Sequence, residues 1–212
     1  MQDAADAGEE MIRNALAAWP RRQLDIETLY AVIALVQLDL YRGAPRRAWG
    51  RIQSVWRKAR LSGLLLVTFL QVIAEDSRAR AALALAADPE TTLQDSRRLL
   101  SIVKATARRL ERLPAPYAKG MAYALYAGEA HVRKTPDLER QYLAEAERML
   151  EKAEFMPWLS IIRLRMAQLS EGASAESFRE SGMAWMQSQG VVRPDRLVRV
   201  LFPIAEAHLT AP

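Results

Sequence analysis

Apolar residues recur at helical spacing along nearly the whole chain, and a glycine or proline falls where most runs stop. Leu29, Val32, Ile33, Val36 and Leu40 follow the i, i+3, i+4, i+7, i+11 order that turns one face of a helix toward a core. This predicts a helix over Ile26–Tyr41, N-capped by Asp25 and closed by Gly43. The next is predicted over 44–60, with Trp49, Ile52, Val55 and Trp56 inward and Arg46, Arg51 and Arg57 outward. Ser62 is then expected to cap a long, very apolar helix running through Leu85 and buried on more than one side. Asp88-Pro89 breaks the pattern, and further helices are predicted over 92–113, 116–133, 137–155, 157–170, from Ser174 to Gly190, and over 194–208 with a bend at Pro203. A first helix over 5–19 stopping at Pro20 brings the count to about ten. Ser174 and Ser177 beside Glu176 and Glu180 carry a capping-box signature. Gly190 suits a left-handed helix end, Pro194 the first turn of the next helix, and Val191 and Val192 are expected to tuck under that corner. No stretch alternates with period two between turn signals, so the fold class is all-α.

Short connections favour antiparallel neighbours. Gly43, Ala48, Ile52 and Val55 have the turn-and-second-helix spacing of a tetratricopeptide unit, in which a small residue lets two helices approach closely. Ala146, Leu150 and Ala153 repeat the small–large–small order, followed by Pro157-Trp158. The expected architecture is a stack of antiparallel helical hairpins, a tetratricopeptide-like α-solenoid. It would form one domain over 1–212, with first hairpins in 1–87, middle hairpins in 88–170 and capping helices in 171–212.

Composition adds limits. Half of the residues are apolar, enough for a continuous core. Cysteine is absent, which removes disulfides and thiolate metal sites and fits a reducing compartment. Met1-Gln-Asp-Ala-Ala-Asp lacks the basic-then-apolar order of a secretory signal, so a cytoplasmic location is expected. The apolar stretch Leu61–Ala74 is interrupted by Ser62, Gly63, Thr68 and Gln71, and falls short of the roughly 20 residues a bilayer span needs. The net charge of +5 attracts phosphates, acidic partners and anionic membranes, but acidic residues are interspersed among the cations.

Candidate chemistry is sparse. The chain has two histidines, His131 and His208, on different predicted helices; His131 reads as a hydrogen-bonded structural residue, and His208 lies in a last helical turn. No metal-ligand spacing and no glycine-rich phosphate loop occurs, so no metal or cofactor is expected. Asp39, set among apolar residues, needs a cationic partner, and Arg42, Arg46 or Arg47 across the turn are the candidates. Glu75 and Asp76 call for the same, with Arg78 and Arg80 nearby. The five tryptophans Trp19, Trp49, Trp56, Trp158 and Trp185 read as core. The candidate partner-binding residues are Arg46, Arg47, Arg51 and Arg57 on one helix and Arg97, Arg98, Arg108 and Arg109 on another, suited to an acidic or phosphorylated protein segment. RNA would call for aromatic residues on the same face, and they fall on the apolar side instead, so nucleic acid is the less favoured partner.

One segment carries a resemblance. Trp185-Met186-Gln187-Ser188-Gln189-Gly190-Val191, then Pro194 and Pro203, resembles the C-terminal tail of large bacterial eukaryotic-like serine/threonine protein kinases of the myxobacterial type. Leu38-Asp39-Leu40-Tyr41-Arg42-Gly43, Arg47-Ala48-Trp49, Val55-Trp56 and Arg78-Ala79-Arg80 look like the helical-repeat region before that tail. The resemblance implies a non-catalytic sensory or scaffolding region. No Gly-x-Gly-x-x-Gly, Val-Ala-Ile-Lys, His-Arg-Asp or Asp-Phe-Gly motif is present, so this chain is expected not to be an enzyme. The alternative is a basic helical module for nucleic acid or for acidic or phosphorylated ligands.

Overall fold

Four helices end in one way, and that ending sets the rhythm of the fold. At the end of the second helix Gly43 takes φ +70°, and the next amide, Ala44 N–H, reaches back to Asp39 O at 2.8 Å. Lys134, Glu154 and Gly190 hold the same left-handed position, with Thr135, Phe155 and Val191 N–H bonded to Ala130, Leu150 and Met186 O. These bonds satisfy carbonyls that a helix end otherwise orphans. A proline then opens each following helix, at Pro45, Pro136, Pro157 and Pro194.

The computed structural model describes residues 5–19 and 24–204. The helices are α1 (Ala5–Ala18), α2 (Ile26–Tyr41), α3 (Pro45–Leu61), α4 (Thr68–Ala86), α5 (Leu93–Glu111), α6 (Pro116–Val132), α7 (Pro136–Lys152), α8 (Met156–Gln168), α9 (Gly172–Ser188) and α10 (Pro194–Leu201), with a 3₁₀ turn at Leu64–Leu66. No strand occurs among the described residues. From α2 to α9 each helix packs on the next, as antiparallel hairpins stacked into a solenoid. Even-numbered helices also touch one another, α2 on α4 and α4 on α6, whereas α10 returns to lie on α2 and α8. Since α10 has eight residues and spans about 12 Å, the array must curve until its second and eighth helices come within one short helix of each other.

Of the repeat positions read from the sequence, Ala48, Ile52, Ala146 and Leu150 are fully buried, Val55 and Ala153 are half-buried, and Gly43 is exposed at its turn. Close approach is taken further by glycine. A Cβ on Gly120 would lie 2.5 Å from Leu150 Cγ, and one on Gly182 would lie 2.8 Å from the Ser160 carbonyl oxygen. Val198, Phe202 and Ile204 of the C-terminal segment join the main core.

Several expectations are corrected. Ser62 ends α3 rather than opening the next helix; Gly63 at φ +77° and the 3₁₀ turn divide the apolar stretch, and α4 starts at Thr68. α9 starts at Gly172 without any side-chain cap, so the Ser174 capping box does not form. α10 ends at Leu201 and residues 202–204 are no longer helical; the rest of the expected extension, with His208, lies outside the described residues. Trp19 is exposed, its Nε1 donating to Asp25, while Trp56 and Trp158 are buried and Trp49 and Trp185 half-buried. Val192 is exposed at the corner where Val191 packs.

Candidate partner-binding cleft

Arg78 projects from α4 toward α3 and lies over two of its aromatic rings. Its guanidinium carbon is 4.5 Å from the Trp56 ring centre and 5.5 Å from that of Trp49. Such stacking supports a cation but supplies no acceptor. Arg78 Nε is buried with no hydrogen-bond partner, and Arg78 forms no ion pair among the described residues. Burial, and next the charge of Arg109, press its pKa below the ordinary arginine value; Glu75 opposes and Arg60 adds to the effect. Of the two arginines expected to neutralise Glu75 and Asp76, Arg80 does so for Asp76 and Arg78 pairs with neither. Glu75 is paired with Arg109 from α5 at 2.7 Å, and Asp76 with Arg80 at 2.7 Å.

The Arg78 side chain lines a cleft between α3 and α5 of 530 Å³, together with Arg46, Trp49, Thr92, Asp95 and Arg98. Thr92 and Asp95 are engaged with each other at the start of α5, where Thr92 caps the helix. A half-buried guanidinium short of acceptors at the edge of such a cleft suits a carboxylate or phosphate brought by another molecule. Leaving a buried donor unmet costs about 1–3 kcal/mol.

The eight arginines singled out in the sequence divide three ways. Arg47, still exposed, and half-buried Arg51 reach across the α2–α3 turn and clamp fully buried Asp39: Arg47 Nη2 lies 3.1 Å from Oδ1, and Arg51 Nε donates to Oδ2. Arg42 stands 4.0 Å from Asp39, whereas Arg46 turns away to Asp88 at 3.5 Å and Glu90 at 3.3 Å. Arg109 is taken by Glu75. Arg57, Arg97, Arg98 and Arg108 are exposed and unpaired among the described residues.

Two clusters had no local signal in the sequence. Glu9 of α1 is buried and bonded to Arg13, Arg42 and Arg51. Burial alone would raise its pKa, but the bonds from Arg42 and Arg51 and the charges of Arg13 and Arg51 outweigh that and lower it to about 2. The second joins α6, α7 and α8: Arg165 Nε donates to Glu139 Oε1 at 2.8 Å, and His131 Nδ1 lies 3.1 Å from Oε2. Arg165 Nη2 is 2.8 Å from the same ring nitrogen. One nitrogen cannot serve both neighbours at once: without a proton on Nδ1 it accepts from Arg165, and with one it donates to Glu139. His131 is thus hydrogen-bonded within a clamp that occupies both oxygens of the buried carboxylate. Among the described residues no three acidic or histidine side chains gather to hold a metal ion, and no helix is long and apolar enough to cross a membrane. Compared with known proteins, the chain matches no family model, no curated protein and no solved structure.

Proposed function

We propose that the chain is a non-catalytic, regulatory helical-repeat domain that binds an acidic segment of a protein partner. In the same proposal it is cytoplasmic and forms the C-terminal sensory or scaffolding region of a bacterial serine/threonine protein kinase. The observation that carries the binding reading is Arg78, half-buried over Trp49 and Trp56 without an acceptor, beside the α3–α5 cleft. A carboxylate or phosphate seated there gains the charge-assisted bonds that the fold leaves open, and Arg98 from α5 stands ready on the opposite wall. The kinase attachment is supported by the tail residues Trp185-Met186 and Gln189-Gly190-Val191 alone.

The test is a titration of an oligoglutamate peptide and its phosphoserine counterpart, followed by tryptophan fluorescence from Trp49 and Trp56. Replacing a charged hydrogen bond worth about 1.5–3 kcal/mol, Arg78→Met weakens binding by about 10- to 150-fold. Unaltered affinity in Arg78→Met refutes the site. For the kinase attachment, an in-frame kinase domain in the DNA upstream of Met1 supports it, and a stop codon there refutes it.

A second reading is favoured by one row of charges. Arg97, Lys104 and Arg108 lie at i, i+7 and i+11 on the outer face of α5, exposed and unpaired among the described residues. Such a row suits a polyphosphate backbone, and its signature is affinity for generic DNA or RNA that falls steeply with salt.

A further inference from the structure

We propose that the turn joining α3 to α4 docks this protein on an anionic lipid bilayer surface. Leu61 at the end of α3, Leu66 and Val67 in the connecting turn, and Phe69 in the first turn of α4 are 77%, 88%, 54% and 53% exposed. Ile26 and Tyr30 at the start of α2, also exposed, belong to the same end, because α2, α3 and α4 run antiparallel in succession. Beneath the tip, Leu64 and Leu65 pack against the core of the first hairpins, and Gly63 at φ +77° sets the bend. The apolar tip is therefore held on a rigid base.

Positive charge stands beside it on α3. Arg57, Lys58 and Arg60 in the last turns of α3 are exposed and form no ion pair among the described residues. Elsewhere most arginines are neutralised, as at Arg42, Arg47, Arg51, Arg80, Arg109 and Arg165. Among the described residues, the acidic side chains at the start of α2 are Glu27, which is exposed, and Asp25, which is occupied by Thr28 N–H and Trp19 Nε1. Excess positive charge next to protruding aliphatic side chains matches the two layers of an anionic membrane: headgroups for the cations and the acyl boundary for the leucines. A side chain that stands almost free needs a partner able to deform around it, which lipid does without a preformed pocket. Nucleic acid would use the cations and leave Leu61, Leu66 and Val67 in water.

The apolar tip contributes no side chain to the Arg78 cleft, so vesicle binding and peptide binding are separate readouts. The experiment is co-sedimentation of the full chain with phosphatidylcholine vesicles, with and without phosphatidylglycerol, at low and high salt. Because the chain contains no cysteine, Leu66→Cys also accepts a single environment-sensitive dye. Binding is expected only with phosphatidylglycerol and weaker in high salt, with a blue shift of the dye. Leu61→Ser with Leu66→Ser lowers partitioning by about tenfold per leucine. Arg57→Gln, Lys58→Gln and Arg60→Gln together lower it by about fivefold per charge removed. All these side chains are exposed, so circular dichroism melts of the variants should match the parent. Absence of binding to anionic vesicles overturns the proposal, as does binding that ignores the leucine substitutions. Self-association lost in the leucine variants without vesicle binding also overturns it, in favour of a second copy; duplex DNA binding without vesicle binding overturns it in favour of nucleic acid.

Discussion

Phe202→Ala tests whether α10 closes the solenoid or merely trails from it. Phe202 is 1% exposed and belongs to the main core, although it lies just beyond α10. Truncating a buried phenylalanine to alanine costs about 3–5 kcal/mol, through lost transfer energy and the cavity left behind. Around it Val198, Val200 and Ile204 are buried, and Arg80 of α4 donates to the Val200 carbonyl. The C-terminal segment therefore joins distant parts of one array. A loss of that size lowers the melting temperature by about 6–20 °C in a chain of this length. Urea unfolding followed by tryptophan fluorescence and far-ultraviolet circular dichroism measures it, with Val192→Ala, at an exposed position, as a control expected within about 0.5 kcal/mol of the parent. Truncation after Arg193 goes further: with the tie removed, the two probes should separate, as they do when repeats unfold independently. A loss below about 1 kcal/mol for Phe202→Ala, the size of an ordinary surface effect, refutes the closure.

Glycines give a paired comparison. Gly182→Ala forces a Cβ to 2.8 Å from the backbone oxygen of Ser160, which cannot swing away, and should destabilise by about 1–3 kcal/mol in the same urea assay. Gly50→Ala, inside α3 with nothing within 4 Å, should instead stabilise by about 0.5–1 kcal/mol; equal effects would refute the packing. Lys134→Gly relieves a left-handed backbone at φ 57° and should raise stability by about 1 kcal/mol, whereas a loss would mean that the turn is not strained. Glu9 titrates near 2 in the folded chain against an ordinary 4.5, so its contribution is complete above about pH 4.5 and vanishes as pH falls toward 2. Glu9→Gln should flatten that acid limb of the stability curve, and an unchanged slope would refute its coupling to Arg42 and Arg51.

Sequence alone determined the local structure wherever the local chemistry was self-sufficient. Periodicity placed α2, and Asp25 caps it through Thr28 N–H as its position implies. Glycine and proline located the helix ends because only certain residues tolerate a left-handed turn or a missing amide hydrogen. Ala48 and Ile52 were readable as core because the small–large spacing is itself a packing instruction. The misplaced start of α4 has a local cause: Ser62 is as suitable after a helix as before one, and the Gly63 bend outweighed the apolar run.

Only tertiary structure decided which charge meets which. Asp39 called for a cation, and from α3 it meets Arg47, as expected, together with Arg51 but not Arg46, since a helix surface turns by about 100° per residue and small differences in packing choose the partner. Glu75 found Arg109 on another helix and left Arg78 against the tryptophans, so the candidate site arose from a pairing that did not form. The return of α10 to α2 and α8 likewise depends on curvature accumulated over the whole stack, which no single repeat encodes.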